Sequence, residues 1–320
     1  MKPKKSFGQN FLTSIPARNA IVAAGHIEPD DTVLEIGPGR GFLTEGLLEA
    51  GANVIALEAD RDLIPVLEEK FKILPSPPAP LQALERGVTQ NTTQMYSRGP
   101  SPDPGEVRER VGPALNLINI DALKYDTLLI KGKYKLIANI PYNITGAIIE
   151  KYLSTDHKPT SMVILVQREV AERIVSRDGH ESILSIAVAV YGQAKIIYKV
   201  SAGSFYPKPK VDSAVLAIYN INNDFFDNFK NNKKVKENRE LDAEQTFFKI
   251  LRGGFQYKRK YLINNLTEIL IKENFISNKE QAKDLLIKIF KELNIDERER
   301  AENVKIDKWK QLFSLIYAQV

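Results

Sequence analysis

Along the first 220 residues, short β-branched and apolar runs alternate with amphipathic stretches. Thr32–Ile36, Asn53–Glu58, Leu115–Ile120, Lys135–Asn139, Met162–Val166, Ile196–Val200 and Val211–Tyr219 read as strands. Between the earlier ones, Gly41–Ala50, Asp62–Leu74, Thr145–Leu153 and Glu169–Arg177 carry apolar residues at helical spacing. Such alternation predicts right-handed βαβ units and a mostly parallel sheet covered on both faces. The last two strands are joined through a loop holding Pro207 and Pro209. That connection is too short for a helical crossover, so an antiparallel edge pair is expected. The predicted class is α/β, a doubly wound sheet ending in that pair.

Residues 75–113 break the pattern. They hold 8 of the chain's 17 prolines, several glycines and the tract Gln90-Asn-Thr-Thr-Gln94, without periodicity, and are expected to be a disordered insertion. Lying after a helix and before a strand, the insertion should leave the sheet at its amino edge. Ligands in open α/β sheets bind at the opposite, carboxyl edge. Asn220–Asn238, rich in Asn and Lys, reads as a linker. From Ala243 onward apolar residues recur at helical spacing, as in Phe247, Ile250 and Leu251, then Leu262, Leu266 and Leu270, then Leu286, Ile289 and Phe290. Trp309, Leu312 and Phe313 read as the packed face of a last helix. The expected division is a first domain over 1–220 and a small all-helical domain over 221–320.

Composition narrows the classes. The chain has 320 residues and no cysteine, which excludes a disulfide scaffold, a thiolate metal site and a cysteine nucleophile. No apolar run reaches membrane-spanning length, and the basic start lacks the apolar segment of an export signal. A soluble, cytoplasmic protein without a membrane partner is therefore expected. The net charge of +5 is unevenly placed: residues 229–320 carry 20 Lys and Arg against 14 Asp and Glu, which leaves 1–228 at −1. A basic second domain suits a polyanion, although a solvated helical face has the same composition. His26, His157 and His180 are isolated and lack ligand spacing, so no metal site is expected.

Val33-Leu-Glu-Ile-Gly-Pro-Gly-Arg-Gly41 is a strand running through glycines into a helix. Gly37, Gly39 and Gly41 permit a sharp turn and close approach of backbone to a ligand. Glu58 ends the next strand, 21 positions after Gly37, where a carboxylate accepts hydrogen bonds from ribose hydroxyls. The spacing Gly-x-Gly-x-Gly differs from the fingerprint of nicotinamide enzymes. Glu35 and Asp121 add acids where a pyrophosphate would call for cations. This set suits S-adenosylmethionine, whose sulfonium is cationic and whose adenine amine can donate to Asp121.

The fourth strand ends in Asn139-Ile140-Pro141-Tyr142 on the ligand edge. Methylation of an exocyclic amine on a planar base needs this set. Such an amine is a poor nucleophile because its lone pair is delocalised into the ring. The Asn139 amide oxygen and the Ile140 carbonyl can accept its two N–H bonds and favour a pyramidal nitrogen. Pro141 fixes φ beside that carbonyl, and Tyr142 can stack on a flipped base. Catalysis of this kind is positioning and electrostatics, with no strong general base.

With these motifs in order, the chain resembles the ribosomal RNA adenine N6,N6-dimethyltransferases. Matching pieces are Phe7-Gly-Gln-Asn-Phe-Leu12, Glu35–Gly41, Asn139–Tyr142, Val166–Ile174, Phe205-Tyr-Pro-Lys-Pro-Lys-Val-Asp-Ser213 and Arg300-Ala-Glu-Asn-Val304. The resemblance covers nearly the whole chain except 75–113, and is greatest to the bacterial small-subunit enzymes. It implies a Rossmann-like class I methyltransferase sheet with a helical RNA-binding domain. It also implies S-adenosylmethionine as methyl donor and dimethylation of two adjacent adenosines in the 3′-terminal hairpin of small-subunit (16S) rRNA. Asn10 and Leu12 resemble the segment that closes over the donor. Gly37, Glu58, Asp121 and Asn139 match donor-contacting positions, with Gly39 in the same loop, and Phe205 matches an aromatic beside the target base. The insertion alters the usual distance from Glu58 to Asp121.

In Arg252-Gly-Gly-Phe-Gln-Tyr-Lys-Arg-Lys260, the cations Arg252, Lys258, Arg259 and Lys260 are candidates for RNA phosphates, while Phe255 and Tyr257 suit stacking or helix packing equally. A monomer acting on a 30S assembly intermediate is expected. The rival readings are a large-subunit (23S) adenine methyltransferase of the antibiotic-resistance type, a non-catalytic RNA-binding assembly factor, and a small-molecule N-methyltransferase. Intact loop glycines, Glu58 and Asn139 disfavour the second, and the basic helical domain disfavours the third.

Overall fold

The computed structural model describes residues 4, 8–72, 94–95, 114–176, 179–229, 234–236 and 239–319. Contacts divide the chain into two compact units, Met1–Arg168 with Lys195–Tyr219, and Glu169–Ala194 with Asn220–Val320. The division expected at residue 220 leaves 169–194 in the first domain, whereas by contacts these residues group with the second unit. The disordered insertion expected over 75–113 lies outside the described residues, apart from Gln94–Met95.

The first unit begins with β1 (Phe11–Leu12) and α1 (Ile15–Ala24), followed by β2 (Thr32–Ile36), α2 (Phe42–Glu49), β3 (Asn53–Glu58) and α3 (Ile64–Phe71). Next come β4 (Gln94–Met95), β5 (Ala114–Asn119), β6 (Tyr134–Asn139), α4 (Thr145–Ser154) and β7 (Met162–Gln167). Helices α5 (Arg168–Ile174) and α6 (Ile183–Ala189) precede β8 (Gln193–Val200), β9 (Phe205–Tyr206) and β10 (Ser213–Tyr219). The main sheet runs β4-β5-β3-β2-β6-β7-β10-β8. Strands β5, β3, β2, β6 and β7 are mutually parallel. On one side β10 pairs antiparallel with β7, placing it between β7 and β8. The strands joined through Pro207 and Pro209 are thus neighbours, as their short connection demands. Val33, Leu34, Val54, Leu136, Ile137, Val163 and Ile164 are all buried. Both faces of the central strands are covered, which is why they read as unbroken apolar runs.

Helix α1 was not anticipated, although its start is written locally. Ser14 accepts a hydrogen bond from the Ala17 amide at 3.4 Å, and Pro16 occupies the first turn. Ala17, Ile21 and Ala24 form its buried face. A second sheet of two residues per strand pairs β1 antiparallel with β9, Phe11 opposite Tyr206 and Leu12 opposite Phe205. This stitch carries the amino-terminal segment across to the loop before β10.

In the second unit α7 (Asp224–Asp227) and the antiparallel pair β11 (Lys234–Lys236) and β12 (Arg239–Leu241) precede α8 (Ala243–Gly254), α9 (Leu262–Lys272), α10 (Lys279–Glu292) and α11 (Ile306–Gln319). Asp242 caps α8 through the Gln245 amide at 2.7 Å. The expected linker over 220–238 is corrected by its aromatics. Phe226 is buried, and the rings of Phe225 and Phe229 lie 6.0 and 5.3 Å from that of Phe313. Three phenylalanines among Asn and Asp anchor this stretch to the helical core. Tyr191, just after α6, joins them, its ring 5.6 Å from Phe226 and its hydroxyl donating to Glu244 at 2.5 Å. Trp309, Leu312 and Phe313 are buried as their spacing predicts.

Candidate functional site

At the carboxyl ends of β2, β3, β5 and β6 lies a cavity of ≈830 Å³. Four sequence-distant segments bring the candidate residues together there, with Tyr206 completing the lining. These are the glycine loop Gly37–Arg40, the Glu58–Ala59 corner, Asn119–Leu123 and Asn139–Ile144, and across them lies the amino-terminal segment Gly8–Thr13. Asn10, Leu12, Gly37, Gly39, Glu58, Asp121, Asn139, Ile140, Pro141 and Tyr142 all line it.

The glycine loop is built from left-handed residues: φ is +67° at Gly37, +60° at Gly39 and +73° at Gly41. A Cβ on Gly41 would lie 2.6 Å from the Phe71 ring, so only glycine admits helix α2 so close to α3. The Gly39 amide donates to Glu58 Oε2 at 3.1 Å and the Asp60 amide to Glu58 Oε1 at 2.8 Å. Glu58 is thus held by one bond to each oxygen at the end of β3. Burial pushes its carboxyl above the ordinary value, while the two amides oppose the rise.

Glu35, mid-strand in β2, is 1% exposed, and neither carboxyl oxygen has a hydrogen-bond partner among the described residues. Burial pushes its carboxyl up to about 8; the nearby Thr44 and Lys70 oppose this, and the neighbouring Glu58 adds to it.

The insertion does not displace Asp121. Strand β5 holds register with β3, Glu58 opposite Asn119, and Asn119 Nδ2 donates to the Glu58 carbonyl at 2.8 Å. Asp121 follows two residues later at the rim, its Oδ1 accepting the Leu123 amide at 2.9 Å. Asn139 Nδ2 donates to the Asn10 carbonyl at 3.2 Å, which leaves the acceptor role to its other amide atom, Oδ1. Tyr142 is half-buried, and its hydroxyl shares a 2.7 Å hydrogen bond with that of the fully buried Ser213.

Phe205 is not among the residues that line the cavity. Its ring is 4% exposed and packs in the core with Leu12, Ala17 and Val200, whereas the next residue, Tyr206, is 60% exposed and lines the cavity. Successive strand residues point to opposite faces, and β9 turns its phenylalanine inward. Sequence reasoning also missed Gln9, Phe11 and Asp60. Their signal lies in contacts 29 to 56 positions apart, from Phe11 with Arg40 to Lys4 with Asp60. Two of the three cations that line the cavity, Arg40, Arg61 and Lys70, are held by neighbours: Arg40 lies 4.8 Å over the Phe11 ring, and Lys70 Nζ donates to the Gly41 carbonyl at 3.0 Å. Phe7, Lys2 and Lys5 lie outside the described residues.

On the second unit, Arg252, Lys258, Arg259 and Lys260 are all exposed. Lys260 pairs with Glu268 at 2.9 Å and sits 4.2 Å over the Tyr257 ring. Phe255 stacks on Trp309 with centroids 5.6 Å apart, which resolves its role as helix packing, while Tyr257 stays exposed. Among the described residues no group of three or more acidic or histidine side chains gathers to hold a metal. No helix among them is long and apolar enough to cross a membrane.

A glycine loop with a carboxylate one strand over, and an Asn-Ile-Pro-Tyr corner beside it, on a sheet of this order, define an S-adenosylmethionine-dependent methyltransferase. Solved structures share this fold. A dimethyladenosine transferase from Plasmodium falciparum superposes with a TM-score of 0.67 at 23% identity, covering 97% of this chain and 98% of that one. The 23S rRNA methyltransferase ErmE gives 0.63 at 19% identity, covering 96% and 100%. The match to the ribosomal RNA adenine dimethylase family spans residues 1–316, and the chain belongs to that family. Its relatives include the ribosomal RNA small subunit methyltransferase A of Dehalococcoides mccartyi strain CBDB1, 34% identical over 98% of this chain and 88% of the other. The protein of the same name from Fusobacterium nucleatum is 31% identical over 98% and 97%.

Proposed function

We propose that this enzyme dimethylates N6 of two adjacent adenosines in the 3′-terminal hairpin of small-subunit (16S) rRNA, on a subunit assembly intermediate. The names of its relatives support the subunit, and the Arg300–Val304 tail with the Phe205–Ser213 motif supports the same choice. The observation that carries the chemistry is Asn139. Its Nδ2 is committed to Asn10, leaving Oδ1 as an acceptor in the cavity that Glu58 and Gly39 also line.

The residues present fit the donor. Glu58, fixed by two amides, would accept from the ribose hydroxyls, Asp121 from the adenine amine, and the glycine loop would admit the methionine portion. S-adenosylmethionine supplies an electrophilic methyl on sulfonium. Asn139 Oδ1 and the Ile140 carbonyl accept the two N–H bonds of the target amine and aim its lone pair into the cavity. The proton that the amine gives up on methylation would leave to solvent. The stacking surfaces are Tyr142, anchored by Ser213, and Tyr206 in place of Phe205. Lys258 and Arg259 take RNA phosphates. The protein works as a cytoplasmic monomer.

Primer extension on unmethylated small and large ribosomal subunits after incubation with enzyme and donor tests the substrate. Paired stops in the 3′ hairpin of the small-subunit RNA are expected. A stop confined to the large subunit would overturn the choice.

A further inference from the structure

Asp60 is not among the residues that line the cavity, yet it bonds two that do, Glu58 and Gln9. Its amide donates to Glu58 Oε1 at 2.8 Å. Its carboxylate, on a residue 1% exposed, accepts from Gln9 Nε2 at 2.8 Å and from Lys4 Nζ at 2.6 Å. Gln9 Oε1 in turn accepts the Lys4 amide at 2.8 Å, so the two residues grip Asp60 as a closed ring. The segment they belong to continues as Gly8–Thr13 over the cavity, where the Asn10 carbonyl meets Asn139. One short segment thus touches the support of the donor carboxylate at one end and the amide that orients the target amine at the other.

We propose that Asp60, gripped by Gln9 and Lys4, is a positioning residue that makes closure of the amino-terminal segment and orientation of Glu58 a single event. A buried carboxylate is stable only where donors and a cation compensate it. Opening the segment would remove Gln9 and Lys4 and leave the Asp60 carboxylate without its cation, held only by the Asp62 amide at 3.1 Å, loosening the corner whose amide holds Glu58. Conversely, a ligand drawn to Glu58 rigidifies that corner and favours the closed segment. Burial alone would raise the Asp60 carboxyl, but hydrogen bonds from Lys4, Gln9 and the Asp62 amide hold it below its ordinary value, as a fixed anion requires. Asp62 also pairs with Lys4 at 2.6 Å, so the cation bridges two acids.

This inference rests on Glu58 being the donor carboxylate, and the test separates the two. Titration calorimetry with S-adenosylhomocysteine on Asp60→Asn, Gln9→Ala and their double variant should give dissociation constants raised about tenfold for each single change, the double being no weaker than the poorer single. The loss should fall in KM for the donor more than in kcat, and hydrogen exchange over residues 8–13 should lose its ligand-induced protection. Lys4→Arg should restore what Lys4→Met loses. Because Lys4 lies at the half-exposed end of the ring, that pair remains informative if Asp60→Asn fails to fold. Additive effects, or binding like that of the wild type, would overturn the latch. Unchanged binding by Glu58→Gln would instead overturn the donor-site reading itself.

Discussion

Glu35 separates what a residue type announces from what its surroundings make of it. In the sequence it is one more acid of a ligand loop, yet in the fold it is a buried acid with no partner for either oxygen among the described residues. Because its folded value is raised from 4.5 to about 8, the folded state holds its proton more tightly than the unfolded chain does. Stability therefore falls as pH rises through that window and levels off above it. Glu35→Gln removes the titration, so its stability relative to wild type should rise by as much as about 4 kcal/mol between pH 4.5 and pH 8. Urea unfolding across that range measures the difference, and parallel curves would contradict the prediction. Gly41 is legible in the sequence as a loop glycine, but its reason is the Phe71 ring. Gly41→Ala should destabilise by about 2–3 kcal/mol and lower the melting temperature, through left-handed strain and overpacking together. Glu58, Asp121 and Asn139 could be picked out because their identity and their place at strand ends coincide. Asp60 and Gln9 could not, since their chemistry lies in a hydrogen bond 51 positions long.

The central parallel strands β2, β6 and β7 were legible because burial on both faces leaves an apolar run that no surface helix has. Helix α1 was passed over although Ser14 and Pro16 mark its start, because its weakly amphipathic Ala-rich run gives little periodicity. The pair β1 and β9 was illegible for a different reason. Two residues per strand carry no alternation, and only pairing between positions 11–12 and 205–206 creates the element. That pairing decides which aromatic reaches the cavity. Phe205→Ala should therefore act chiefly on stability, at about 3–5 kcal/mol, as a core truncation does. Tyr206→Ala should fold normally and weaken RNA methylation. Thermal melts beside methyl-transfer rates distinguish the two, and the reverse pattern would restore Phe205 to the site. The insertion is an element-scale test of a topological rule. One flank, Ala114 at the start of β5, lies at the amino end of the parallel strands, away from the cavity, whereas the other, Lys72, follows closely on Lys70, which lines it. Replacing 75–113 with a short Gly-Ser linker should leave S-adenosylhomocysteine affinity within about twofold of wild type. A larger loss would place the segment at the site.

For the whole molecule, charge and chemistry are divided along the chain. The cavity lies wholly in the unit that contains the sheet, and the basic excess belongs to residues 229–320. Charge reversal at Lys258 and Arg259 should accordingly reduce RNA methylation by at least about tenfold and leave S-adenosylhomocysteine binding unchanged. Filter binding and calorimetry read the two separately. The boundary between the units was legible only in part. Composition shifts sharply after Tyr219, but nothing in 169–194 foretells that Tyr191 packs with Phe226. The central claim, that Asn139 orients an adenine amine for methyl transfer, is tested most directly by tritiated transfer from S-adenosylmethionine to unmethylated small subunits. Wild type should label small-subunit rRNA as N6,N6-dimethyladenosine. Asn139→Ala should lose at least about a hundredfold in rate, as expected for removal of a transition-state hydrogen-bond acceptor. Labelling by the variant at the wild-type rate would contradict the account and reduce Asn139 to a turn residue.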